Sequence, residues 1–173
     1  MMTPFVSIPL EEFDPFLQRA AKDWMLIGCG GKHSPNLMTA SWGFCGVVWD
    51  RPSVICLIRP ERYTCSLMET YDYFSVSFLP SQYRDALRYC GTHSGRCENK
   101  FPAAGLTSSY TEAGVPFPNE AAEVLICQKR YADDMKPECF LGEEFASYYH
   151  TGGYHRLYIG EIVERLVKRT DCP

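Results

Sequence analysis

Between Tyr73 and Leu79 the chain sets Phe74, Val76 and Phe78 in alternation with Ser75 and Ser77. A period of two sends successive side chains to opposite faces, so this stretch predicts a β-strand. Similar strand-like runs come before and after it. Trp24–Gly28 is expected as a first strand, closed by a turn at Gly28-Cys-Gly-Gly31. Others are expected over about Met38–Val48, Val54–Arg59, Glu123–Tyr131 and His155–Val167. Strands follow one another without the regular intervening helices that a doubly wound parallel sheet requires. The expected class is therefore mainly β: an antiparallel barrel with a few helices packed outside.

Two helices are expected against that barrel. Asp14-Pro15 has the form of an N-cap followed by proline at the first helical position, and Phe13, Phe16, Leu17 and Ala20 recur at helical spacing to about Lys22. Ser81 is placed to cap a second helix, with Tyr83, Ala86, Leu87 and Cys90 on one face and Gly91 ending it. Thr92–Asn119, rich in Gly, Pro, Ser and Thr, reads as mostly irregular. With 173 residues and no repeat, low-complexity tract or linker, the whole chain, 1–173, is expected as one domain.

Composition narrows the function. The net charge is -4 and lysine and arginine form no cluster, so nucleic acid is not an expected partner. The longest charge-free run, His33–Trp49, is broken by His, Ser, Pro, Asn and Thr, so no membrane span is expected. The N-terminus lacks the basic and apolar regions of a signal peptide. Nine cysteines are an odd number at irregular spacing, with no Cys-x-x-Cys pair. Cys56 and Cys127 fall inside apolar strand-like runs, where a thiol acts as a small hydrophobe. The setting expected from this usage is reducing and cytoplasmic.

Candidate chemistry concentrates in four places. In Thr39-Ala-Ser-Trp42, Thr39 and Ser41 would share one strand face and offer hydroxyls to a polar group, with Trp42 walling a flat ring. An ordinary half-buried strand with Trp42 in the core is the competing account. Arg59 ends an apolar strand, and Arg62 precedes Tyr63-Thr64, where a helical stretch with Leu67 and Met68 begins. Guanidinium, hydroxyl and free backbone N–H groups gathered there would make an anion site suited to a phosphate. His93-Ser-Gly-Arg96 and Lys100 add a third group of basic residues in the irregular region, in which a tight turn at Gly95 would aim Ser94 and Arg96 inward. Cys90 and Cys97 beside it match no common zinc spacing, and no metal is expected. His155 opens the final strand, where it is either structural or a donor beside a bound ring. Glu161 is expected to pair with a basic residue. Gly28-Cys-Gly-Gly-Lys-His33 fails the dinucleotide fingerprint because its sixth position is histidine and no helix is expected to follow.

Four motifs in one order then carry a resemblance: Asn36-x-Met-Thr-Ala-Ser-Trp-Gly, Arg59-Pro-x-Arg-Tyr-Thr, Ser94-Gly-Arg-x-x-x-Lys100 and His155-x-x-Tyr-Ile-Gly-Glu-Ile. From about Phe13 to Val167 the chain resembles the flavin reductase-like proteins, and among them the small bacterial members made of that domain alone. The resemblance implies an FMN-binding split barrel of antiparallel, Greek-key type, six-stranded and flanked by helices. It also implies a homodimer with the flavin near the subunit interface. Asn36, Thr39, Ala40, Ser41 and Trp42 would line the flavin. Arg59, Arg62, Tyr63 and Thr64 would hold its phosphate and ribityl chain, and Ser94, Gly95, Arg96 and Lys100 would close over it. Many active reductases of the family carry Gly-Asp-His before the last strand, where this chain has Gly153-Tyr154-His155.

The function expected from this is an FMN-dependent oxidoreductase that takes hydride from NAD(P)H and passes electrons to free flavin, a ferric complex or another small acceptor, with His155 beside the ring. A non-catalytic FMN-binding electron carrier or flavin store is the alternative, and a barrel with a decayed site a second one.

Overall fold

The computed structural model describes Phe16 and residues 19–168. A seven-stranded antiparallel sheet forms its body: β1 (Met25–Cys29), β2 (Asn36–Ala40), β3 (Gly43–Val48), β4 (Arg51–Ile58), β5 (Tyr73–Phe78), β8 (Glu123–Asp134) and β9 (Arg156–Val167). Two short strands, β6 (Ser108–Tyr110) and β7 (Pro116–Pro118), pair separately. Helices α1 (Tyr63–Thr70), α2 (Arg84–Thr92) and the single-turn α3 (Lys100–Ala103) lie between strands. Most of the helix expected from Asp14 falls outside the described residues. Within them Phe16 is helical and Arg19–Asp23 forms a π-helical turn.

The strand order β2-β1-β5-β8-β9-β4-β3 puts β2 and β3 at opposite ends of the sheet. Yet only Ser41 and Trp42 separate them in sequence. Ala40 and Gly43 are three Cα steps apart, a reach of no more than about 11 Å, so the sheet must curl until its ends meet. Packing agrees: a Cβ on Gly43 of β3 would fall 2.9 Å from the methyl of Met25 on β1. The expected strand Met38–Val48 is therefore two strands, broken at the seam of the barrel.

β1 is buried along its whole length, so both of its faces are covered. Met25 and Ile27 join Val54, Cys56, Phe74, Val76 and Tyr158 inside the barrel. Leu26 faces the other way, in a second cluster with Leu37, Leu87, Cys90, Phe101 and Ile126 beneath α2 and α3. Ser75 and Ser77 are fully buried as well, because β7 covers that face and the Ser75 hydroxyl donates to the Pro116 carbonyl at 2.7 Å. Gly160 of β9 lets Phe74 approach: a Cβ there would sit 2.5 Å from the Phe74 ring.

Other boundaries moved by small amounts. Trp24 precedes β1 with φ 64°, its ring under the Arg84 guanidinium at 3.4 Å. Ser81 opens a 3-10 turn without a side-chain cap, and α2 runs past Gly91 to Thr92. The region expected to be irregular holds α3, β6 and β7.

Glu161 pairs with basic residues as expected. Its carboxylate accepts from Arg51 Nη1 at 2.8 Å, and from Arg130 Nε at 2.8 Å and Nη2 at 2.6 Å. The Arg130 hydrogen bond, followed by that of Arg51, holds its pKa below the ordinary carboxyl value against the opposing effect of burial. The folded state thus binds this proton less readily than the unfolded one. The resulting stability is present above the ordinary carboxyl pKa and is lost as pH falls through the lowered one. Glu161→Gln is expected to flatten the acid limb of Tm against pH relative to wild type, as read by circular dichroism.

Candidate active site

Beside the seam, the end of β2, the end of β4, the start of α1 and the segment before β9 enclose a cavity of about 500 Å³. Its walls include Thr39, Ala40, Ser41, Trp42, Arg59, Arg62 and His155, all anticipated from sequence, together with Met38, Leu57 and Glu61. A second cavity of about 150 Å³ adjoins it, sharing Met38, Glu61 and Arg62. Tyr63, Thr64, Ser94, Gly95, Arg96 and Lys100 line this smaller space. Residues far apart in sequence are thus brought together as one large and one small compartment.

Asn36 stands behind the smaller cavity without being one of its walls. It is buried at the start of β2, and its Nδ2 donates to Thr64 Oγ1 at 2.8 Å. Its Oδ1 is buried without a hydrogen-bond partner among the described residues. The approach of Gly95 explains that residue: a Cβ there would lie 2.0 Å from Asn36 Oδ1 and 3.1 Å from the Tyr63 ring.

The cations are individually anchored. Arg62 Nη2 donates to the Gly91 carbonyl at 2.5 Å, and Arg96 Nη1 to the Glu61 carbonyl at 3.0 Å. The Arg96 guanidinium also lies over the Tyr63 ring at 5.3 Å. Arg62 is the N-cap of α1, so Tyr63 and Thr64 occupy its first turn, where backbone N–H groups have no intrahelical acceptor. The smaller cavity therefore concentrates positive charge and donors, as an anion site requires. Arg59 belongs to the larger cavity instead, donating through Nη2 to the Tyr148 carbonyl at 2.8 Å with Glu61 Oε1 3.8 Å from Nη1.

Three side chains are used differently from the sequence expectation. Ser41 lies outside β2, so strand alternation does not align it with Thr39. The Thr39 hydroxyl donates to the Leu87 carbonyl on α2 and so ties strand to helix. Lys100 is buried rather than poised over the cavity, and its Nζ donates to the carbonyls of Leu37 at 2.8 Å and Cys90 at 2.9 Å. Burial pushes its pKa below the ordinary lysine value.

His155 is 8% exposed, with its ring 4.8 Å from that of Trp42. Its Nδ1 is 2.8 Å from the Tyr149 hydroxyl. Burial, then the charge of Arg59, lowers its pKa, and Glu61 acts the other way. Sequence reasoning missed Glu61, Tyr148 and Tyr149. The signal for the two tyrosines was the aromatic density of Phe140–Tyr154, which has no strand or helix periodicity to assign it. Tyr154, at the position of the family aspartate, stacks on Tyr149 with centroids 4.6 Å apart and planes 14° from parallel.

An antiparallel sheet curled until its end strands meet, with helices packed outside, is a split-barrel fold. The sequence matches the flavin reductase like domain over residues 17–172, and the chain belongs to that family. Solved structures agree in fold. The flavoredoxin of Methanosarcina acetivorans is 21% identical, with a TM-score of 0.68 over 87% of this chain and 71% of that one. An FMN-binding protein from Thermus thermophilus with bound p-hydroxybenzaldehyde is 22% identical, with a TM-score of 0.69 over 98% and 83%. An NADH:FAD oxidoreductase of Streptomyces globisporus, in complex with NAD and FAD fragments, is 20% identical, with a TM-score of 0.64 over 84% and 74%. A search of curated proteins found no match.

Proposed function

We propose that this chain binds FMN across the two cavities and uses it in NAD(P)H-dependent reduction of free flavin, a ferric complex or another small acceptor. The observation that carries the reading is the match of compartments to the parts of the cofactor. The larger one has the volume and the mixed aromatic and polar wall of a ring site. The smaller one gathers Arg62, Arg96 and the first turn of α1, a donor set suited to a phosphate near charge -2. The unpartnered Asn36 Oδ1 lies behind the smaller cavity, packed against Gly95.

FMN, when bound, supplies a ring that accepts hydride and releases electrons singly or in pairs. The protein's part is to bind and orient it. Ala40 and Trp42 flank the ring space, Thr64 and Ser94 offer hydroxyls along the chain toward the phosphate, and His155 offers one ring nitrogen to the cavity. A nicotinamide donor would approach through the mouth of the larger cavity.

A homodimer fits the outer surface. Phe44 and Val47 on edge strand β3, and Trp49 just beyond it, are exposed, and an exposed apolar edge is ordinarily covered by a partner. The cysteines support a reducing, cytoplasmic setting: Cys29, Cys56, Cys65, Cys90 and Cys127 are buried free thiols, and burial pushes those of Cys29 and Cys56 up to about 12. None of the described helices is long and apolar enough to cross a membrane.

One observation favours the second reading, an electron carrier without its own nicotinamide chemistry. Tyr154 spends its ring on stacking and brings no carboxylate to the site. Flavin fluorescence titration with FMN and with riboflavin tests the shared part of both readings. FMN is expected to bind at least about tenfold more tightly, since each charged phosphate contact is worth about 1.5–3 kcal/mol. Equal affinities would remove the phosphate from the smaller cavity.

A further inference from the structure

Tyr149 is not among the motif residues, yet it touches both His155 and Arg59 of the cavity wall. It is 6% exposed, at the end of the 3-10 helix Glu143–Tyr149. Tyr154 stacks on one face of its ring, the Phe140 ring meets it edge-on with centroids 5.5 Å apart, and the Arg59 guanidinium lies 5.6 Å from its centroid. Those contacts fix the ring, and the ring fixes the hydroxyl. The hydroxyl lies 2.8 Å from His155 Nδ1 and 3.5 Å from Met135 Sδ.

A phenol has one proton to give. It can go to Nδ1, or to Met135 Sδ while an Nδ1–H donates to the phenol oxygen. An imidazole nitrogen is a far better acceptor than either a thioether or a phenol oxygen, and the 2.8 Å separation is close to the optimal distance. The proton therefore goes to Nδ1, which makes Nδ1 the acceptor and leaves the imidazole proton on Nε2. We infer that Tyr149 is a positioning residue that locks His155 as the Nε2–H tautomer, so that the histidine presents a hydrogen-bond donor, not a base, to an acceptor atom of whatever ring occupies the larger cavity. The inference rests on the proposed function for the identity of that ring, but not for the tautomer.

The surroundings agree. A hydrogen bond received at Nδ1 stabilises the neutral imidazole, as do burial and Arg59. The charged groups facing His155 are Arg59 and Glu61, both between β4 and α1. Tyr149 faces it from the 3-10 helix and Trp42 from the barrel seam. A carboxylate in the place of the phenol would receive a proton from Nδ1 and give the opposite tautomer. The phenol is thus the group that sets the direction of the hydrogen bond.

Long-range 1H–15N correlation spectra of the full-length, flavin-free protein test this directly, with His155 assigned by comparison with His155→Gln. The wild type is expected to carry its proton on Nε2 with a hydrogen-bonded, unprotonated Nδ1. Tyr149→Phe, which keeps the stack and removes the hydroxyl, is expected to mix the tautomers. It should also raise the His155 titration midpoint by about 0.5–1 pH unit, the equivalent of one ordinary hydrogen bond. Tyr154→Phe is expected to change neither. A wild-type proton on Nδ1 would overturn the inference, as would a Tyr149→Phe spectrum and midpoint identical to wild type. If Tyr149→Phe does not fold, the wild-type tautomer decides alone. Because no flavin is present, a protein that fails to bind FMN contradicts the proposed function and leaves this result standing.

Discussion

Arg62→Ala is expected to weaken FMN binding by about 1.5–3 kcal/mol and to leave riboflavin binding nearly unchanged. The reason lies in where Arg62 sits. It caps α1, lines both cavities, and is held toward them by its bond to the Gly91 carbonyl. Its charge is therefore available to a phosphate in the smaller compartment, while a ring in the larger one gains little from it. Arg59→Ala makes the useful comparison. Arg59 lines the larger cavity and ties down the Tyr148 carbonyl, so its loss should weaken FMN and riboflavin alike. Fluorescence titration of both ligands against both variants checks the division. An Arg62 variant that loses the two flavins equally would contradict it.

Phe74→Ala is expected to cost about 3–5 kcal/mol of folding stability, the usual price of emptying a large aromatic site in a barrel core. Phe74 is fully buried on β5, paired with Cys127 of β8, and its ring meets the backbone of Gly160 on β9. A cavity there would face three strands that cannot collapse independently, because β5 is hydrogen-bonded to β8 and β8 to β9. The reciprocal change gives an internal check. Gly160→Val places a side chain where the ring now is and should itself destabilise by about 1–3 kcal/mol. Combined with Phe74→Ala it should recover part of the loss, so the two effects will not add. Urea unfolding with an unchanged m-value measures all three. Strict additivity would mean that ring and glycine do not share a space.

Much of this architecture was legible in the sequence, for reasons that differ by element. β5 was plain because Phe74, Val76 and Phe78 alternate, and β4, β8 and β9 because their apolar runs are bounded by turn residues. The seam was not plain. Ser41-Trp42 looks like strand interior, and only the strand order shows that the chain must turn there. The site motifs were legible as residue types, since arginines beside a strand end and a helix start imply an anion site. Their individual duties were not. Lys100 reads as an exposed loop cation, but its ammonium is buried on two backbone carbonyls, and nothing local in the sequence signals that. Tyr149 was invisible for a related reason. Its role depends on His155 being folded back onto it across a segment without periodicity, with Tyr154 filling the position that the family motif gives to an aspartate.

An anaerobic visible spectrum of the FMN-loaded protein, recorded before and after NADH and then NADPH, tests the account most directly. Bleaching of the flavin band by one of the two is the predicted result, and it would also identify the donor. A band that persists with both, yet bleaches on photoreduction, would contradict the reductase and leave a flavoprotein whose electrons come from another protein.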